Sequence, residues 1–349
     1  MIYLHKIYNK NFNKKFLNYY SFYNKNDFDF NMLDILPLHF KDKYLENISE
    51  IEKEISILDK ESKYCDLYNR HNLLFESIVN TKIDGLALLA FKEIESNETI
   101  KSTLSSFNPT SSYAKKVTYN RSSTMTGRLT VEKGPRILTL PARCRSILKS
   151  RFKSGLIMSI DFKSLEPRIA RNLYEITKCN DIYEEISKNL SFVADRSVIK
   201  KAVICTLYGS RQKYLDNLSR ERSEEVFRVV NNYYNMSYIL NLASNIDSFG
   251  IRRNYFGRPI WNIKENRSHV IANNYIQSTA VDLTLNYFTD FVVDMCCDDI
   301  LPIFLIHDAL IIDVNTERLD DIKEYIKKGY NHKELGNFPL ELTPIMKDI

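Results

Sequence analysis

The sequence predicts an α+β fold in which two separate strands bring carboxylates to one sheet edge, with helical chain between them. Three observations carry this. Leu156, Ile157, Met158 and Ile160 form a short apolar run that ends on Asp161, the pattern of a buried strand delivering an acid at its end. In LPIFLIHDALIIDV two apolar runs flank His307-Asp308 and read as a β-hairpin whose turn carries a second acid. Between them, in FVADRSVIKKAVICTLYG, Arg196, Lys200, Ile204 and Tyr208 recur every four residues and share one face of a helix.

The remaining elements follow in chain order. Residues 1–37 are rich in Tyr, Phe and Asn and lack clean periodicity. Residues 44–62 place Leu45, Ile48, Ile51, Ile55 and Leu58 at helical spacing and predict an amphipathic helix. Further helices are expected from about Asn72 to Val79 and from Leu86 to Glu95. The Ser- and Thr-rich stretch 103–125 reads as loop and short strand. It carries Lys115, Lys116 and Arg121, which suit either a phosphate-tracking segment or a solvated basic loop. Pro167 falls in the first turn of a helix that follows Asp161, where its missing N–H costs nothing.

Composition sets outer bounds. A chain of 349 residues with 44% hydrophobic and 27% charged residues is neither disordered nor a small disulfide-stapled scaffold. No apolar run approaches the ~20 residues of a membrane span, so no membrane partner is expected, and the N-terminus lacks a secretory core. The net charge of +5 permits an anionic partner without demanding one. The six cysteines show no paired C-x2-C spacing and read as reduced thiols of a cytoplasmic protein. Lys (30) outnumbers Arg (19), as in AT-rich genomes, which suggests a phage or mobile element acting in its host's cytoplasm.

Two strand-end aspartates suit hard divalent cations, which prefer carboxylate oxygen and keep positions open for substrate phosphates. An aspartate at a strand end is more often a cap or turn residue. A cationic stripe ending in an aromatic suits a nucleoside triphosphate, because Arg grips phosphate as a fork and Lys as a compact charge. An ordinary basic helix face has the same look.

Five blocks in order make a specific resemblance. TGRLTVEKGPRILTLPAR (126–143), DFKSLEPRIARNL (161–173), the Arg196–Lys200–Tyr208–Gly209 stripe, NNYIQSTAVD (273–282) and LIHDALIIDV (305–314) resemble conserved segments of family A DNA polymerases. The resemblance implies a right-hand fold with an antiparallel palm sheet, helical fingers and a reduced helical thumb. Its divisions would be a palm-associated segment at 1–39, thumb at 40–110, palm at 111–174, fingers at 175–268 and palm again at 269–349. It implies DNA-directed DNA synthesis from dNTPs on primer-template DNA. Asp161, Asp308 and the Phe162 carbonyl would hold two Mg²⁺, with Mn²⁺ as a substitute. Arg196 and Lys200 would hold the triphosphate, with Lys200 a proton donor to the leaving group. Glu166 would exclude a ribose 2′-hydroxyl, Ile204 would pack on the nucleotide and Tyr208 would lie near the templating base. His307 would face the primer terminus, and Arg128, Asn273 and Gln277 would contact the duplex.

The departures are as informative. Ile204 stands where the family has Phe or Tyr, Ser164 where Gln is frequent, Ala309 where an acid follows the second aspartate, and His269 where Arg is expected. The 125 residues before the TGRL block show no convincing strand-borne D-x-E, so no proofreading exonuclease is expected. With a small thumb, few cations grip the duplex, and processivity would rest on a partner protein. Competing expectations are a single-subunit RNA polymerase or primase-like enzyme, an untemplated nucleotidyl transferase, and a degenerate nucleic-acid-binding protein. The bulky acid Glu166 favours DNA synthesis over RNA synthesis.

Overall fold

The computed structural model describes residues 36–42, 45–46, 49, 63–210, 214–246, 251–260 and 267–345. The chain divides into two units, Met1–Asp66 and Leu67–Ile349. In the first, residues 38–42 are helical, and most of the predicted helix over 44–62 lies outside the described residues, as does nearly all of the 1–39 segment. The second unit contains every sequence block between 126 and 314.

Beyond the end of the helix Lys63–Arg70, this second unit has three short helices, α1 (Asn72–Ser77), α2 (Gly85–Ile94) and α3 (Glu98–Ser105). Asp84 caps α2 by accepting from the Leu86 and Ala87 amides, and Asn97 caps α3 by accepting from Thr99 and Ile100. Residues 103–105, expected as loop, are thus the last turn of α3: the Asn97 cap starts a helix that a Ser- and Thr-rich composition hides. A hairpin of β1 (Thr118–Asn120) and β2 (Thr130–Lys133) carries the TGRL segment at its tip.

Next come β3 (Gly155–Phe162) and α4 (Leu165–Tyr174). The helices α5 (Ile182–Ser187), α6 (Arg196–Leu207), α7 (Arg220–Tyr234) and α8 (Met236–Ser244) follow, then a tight hairpin of β4 (Arg252–Arg253) and β5 (Pro259–Ile260). The predicted all-helical stretch 175–268 is therefore interrupted by a β-hairpin, closed where Gly257 adopts φ 91. The long helix α9 (Ser268–Met295) leads into the hairpin β6 (Ile300–Ile306) and β7 (Ala309–Asn315). Helix α10 (Leu319–Lys327) and strand β8 (Leu340–Pro344) complete the unit.

Four strands form one fully antiparallel sheet in the order β8-β3-β7-β6. Alternation along β3 turns Ile160 and Phe162 into the core. The Phe162 ring meets Tyr287 at 5.4 Å and Phe288 at 5.8 Å, both on α9. Helix α9 is buried along most of its length, so it backs the sheet as a central rod. The β7 strand is buried from Ala309 to Val314, which explains its continuous apolar run. The α+β class and the antiparallel sheet agree with the reading of the sequence.

Candidate active site

Strand register brings the two aspartates together. Asp161 pairs with Ala309, so it stands at the end of β3 beside the turn that holds Asp308. In that two-residue turn His307 adopts φ 55, a conformation glycine takes most easily. Ser164 also adopts φ 55, where the chain turns from β3 into α4. Two non-glycine residues at positive φ thus flank the pair of acids, and each keeps a side chain where backbone preference alone would select glycine.

The donor set fits a hard cation. Lys163 N–H donates to the Pro339 carbonyl, which makes Phe162–Leu340 a pair without ladder bonds between its members. The Phe162 backbone therefore turns to the opposite edge of β3, toward the register position of Asp308. Burial pushes the Asp308 carboxyl above its ordinary range, and the nearby Glu166 adds to that. A divalent cation relieves both effects. Among the described residues no group of three or more His, Cys, Asp or Glu is placed to hold a metal. The donors such a cation would use are two carboxylates and a backbone carbonyl, a set that suits Mg²⁺ with water and phosphate oxygen completing its shell.

Helix α6 forms the facing wall. Its buried side is Ile199, Ala202, Val203 and Leu207, at spacings of three and four. That leaves Arg196, Lys200 and Ile204 on the outer face, with Tyr208 at the C-cap. A cavity of about 440 Å³ lies between this face, the start of α4, helix α9 and the aspartate turn. Lys200, Ile204, Tyr208, Glu166, Arg128, Gln277, Phe162, His307 and Asp308 all line it. Asp161, Arg196 and Asn273 do not reach the lining. Asp161 lies one residue from Phe162, Asn273 one helical turn before Gln277, and Arg196 one turn before Lys200.

Glu166 is the hub of the wall. Its carboxylate accepts from Arg128 Nη2 at 2.8 Å and from the Tyr208 hydroxyl. Burial and then Glu166 raise the Tyr208 phenol above its usual range, so it donates at any physiological pH. The bond ties α4 to the end of α6 beside the cavity that both residues line. His269, at the start of α9, packs against Gly209: a Cβ at Gly209 would lie 2.2 Å from the His269 Cβ.

One lining residue escapes sequence reading. Tyr183 lines the cavity from α5 with its side chain buried. Ser164, noted in the sequence as a departure from the family pattern, lines it from the turn before α4. No spacing pattern points to Tyr183.

An antiparallel palm sheet with paired acids, faced by a helix bearing Arg, Lys and Tyr, defines a nucleotide-handling polymerase domain. The chain matches DNA polymerase family A over residues 72–343 and belongs to that family. Among solved structures it is similar to the polymerase domain of Pol1 from M. smegmatis in complex with DNA primer-template and dNTP. That match has a TM-score of 0.56 and 15% identity, and covers 74% of this chain and 55% of the other. At this identity the likeness bears on the fold alone, and the chain spans little more than half the length of that relative. No curated protein sequence matches the chain significantly. Among the described residues, no helix is long and apolar enough to cross a membrane.

Proposed function

We propose that the chain extends the 3′-hydroxyl of a DNA primer with deoxynucleoside triphosphates, as directed by a template, by two-metal nucleotidyl transfer that releases pyrophosphate. One observation carries this reading. Asp308, Lys200 and the Phe162–Glu166 segment converge on a single cavity from three separate stretches of chain. Two Mg²⁺ bound by Asp161, Asp308 and the Phe162 carbonyl, or Mn²⁺ in their place, would activate the attacking hydroxyl and neutralise the departing pyrophosphate.

The chain's own residues supply the rest. Lys200 and Arg196 hold the β and γ phosphates, and Lys200 delivers a proton to the leaving pyrophosphate oxygen. Glu166 occupies the space under the sugar C2′ and leaves none for a hydroxyl. Ile204 packs on the nucleotide, and Tyr208 borders the templating base. His307 faces the primer terminus from its turn. Arg128, Gln277 and Asn273 reach the minor-groove edge, where N3 and O2 acceptors are common to all pairs and report pair shape. Residues 40–110 act as a small thumb, 111–174 and 269–349 as palm, and 175–268 as fingers. Long synthesis depends on a partner protein; extension with a trap for released enzyme tests this.

The deciding experiment is extension of a labelled primer on a heteropolymeric template with Mg²⁺ and either dNTPs or NTPs, beside Asp308→Ala. Templated growth with dNTPs that the variant lacks supports the proposal. Growth with NTPs alone replaces it with RNA synthesis, untemplated growth with a terminal transferase, and DNA binding without growth with a binding protein.

A further inference from the structure

We propose that Asp181 and Tyr183 are positioning residues that fix the Arg196 guanidinium with its outer edge free for the incoming triphosphate. This rests on the reading of Arg196 as a phosphate ligand and adds what aims it.

The geometry assigns each atom a task. Asp181 precedes α5 and caps it: one carboxylate oxygen accepts from the Tyr183 amide at 2.8 Å. The other accepts from Arg196 Nε at 3.1 Å and Nη2 at 3.0 Å. The cap holds the carboxylate still, and the carboxylate holds the inner edge of the guanidinium. Tyr183, buried to 3% exposure, lies beneath the guanidinium, whose Cζ sits 4.6 Å from the ring centroid. That stack sets the plane. A guanidinium offers five N–H donors in one plane, and the edge formed by Nη1 and the outer Nη2 hydrogen donates to two oxygens of one phosphate. Asp181 uses the inner edge and leaves the outer one. The Arg196 side chain is 57% exposed, so a ligand can reach it. Tyr183 lines the same cavity as Lys200, one helical turn from Arg196.

Burial alone would raise the Asp181 carboxyl; Arg196 and the Tyr183 amide outweigh that and hold it below its ordinary range, so the pair is ionised at neutral pH. Two opposing effects result. The Asp181 charge weakens attraction for phosphate, while the bridge spares the nucleotide the ordering of a long, many-rotamer side chain. Positioning requires the second to exceed the first. Sequestration of Arg196 by Asp181 would give the opposite sign.

The test is single-nucleotide incorporation by the full chain, with KM for dNTP and kcat measured separately. Asp181→Ala is expected to raise KM about tenfold with a smaller change in kcat, the size of one charge-assisted contact. Asp181→Asn keeps the helix cap with its single amide oxygen and should show the same rise, which separates positioning from misfolding. Tyr183→Leu, which removes the ring beneath the guanidinium, should raise KM. In the Arg196→Ala background, Asp181→Ala should add nothing. An unchanged or lower KM in Asp181→Ala and Asp181→Asn, or additivity in the double variant, overturns the inference while leaving Arg196 as a phosphate ligand. An unchanged KM in Arg196→Ala overturns the phosphate reading itself.

Discussion

Arg258 and Asp282 form a fully buried ion pair, with Nη2 2.6 Å from one carboxylate oxygen and Nε 2.9 Å from the other. The pair joins the β4–β5 hairpin to α9. Arg258 Nη1 also donates to the Arg121 carbonyl at 3.3 Å, at the base of the TGRL segment. Gly127 has φ +78 and lies against the same guanidinium: an added Cβ would come 2.3 Å from Nη1. The loop that presents Arg128 to Glu166 is thus seated on a buried charge pair. Arg258→Met leaves Asp282 buried without its cation and should cost about 3–5 kcal/mol in urea unfolding, whereas Arg258→Met with Asp282→Leu should recover most of that. Gly127→Ala should also destabilise, by roughly 1–3 kcal/mol, through both φ and the clash.

Asp308→Ala should lower kcat on the order of 10³-fold or more, since several kcal/mol of transition-state charge stabilisation is lost and each ~1.4 kcal/mol is tenfold. The fold should survive, because burial already disfavours the ionised Asp308. Stopped-flow incorporation with a thermal melt on the same sample checks both statements. A melt that falls with activity would reassign Asp308 to structure.

Glu166→Ala should admit ribonucleotides. The substitution would empty the space proposed to lie under the sugar, and it releases Arg128 and Tyr208 from their shared acceptor. Discrimination of dNTP over NTP, measured as a ratio of kcat/KM, should fall about tenfold or more. Absolute dNTP incorporation should fall as well, because the Tyr208 tie to α4 is lost.

Ile204→Phe should tighten nucleotide binding. Ile204 is 43% exposed and lines the cavity, so a ring there gains a stacking face without displacing core. Stacking on a base is worth about 1–3 kcal/mol, and KM for dNTP should fall roughly fivefold or more. An unchanged KM would mean that this position does not meet the nucleotide.

His71 predicts an acid limb to stability. Its Nε2 meets Asn286 Oδ1 at 2.8 Å on α9, while Nδ1 is buried with no partner among the described residues. Burial lowers its pKa from 6.5 to about 4, with Asn286 pulling the other way. The depressed folded value means that the unfolded chain binds the proton first as pH falls. The contribution is therefore complete above pH 6.5 and lost between there and about 4, by up to roughly 3 kcal/mol. His71→Gln should flatten that limb in urea titrations across the range.

Much of the site is legible in the chain itself. The apolar run into Asp161, the split run around Asp308 and the four-residue recurrence of Arg196, Lys200, Ile204 and Tyr208 are local patterns, and each element forms where its pattern lies. The helix over 98–105 is hidden because Ser and Thr mask it and its Asn97 cap is the only cue. Tyr183 is hidden because a lone tyrosine in a short helix that also carries Glu184 and Glu185 looks like surface.

Local order determined which segments are strands or helices, which face of each is apolar, and that two acids stand at strand ends. Only the tertiary structure decided that Asp161 pairs with Ala309 across 148 residues (309 minus 161), that Asp181 takes Arg196, and that Asp282 takes Arg258. The physical reason is range. Periodicity is set by backbone geometry within one or two turns, whereas a charged residue becomes a buried partner or a solvated one according to which distant surface closes over it.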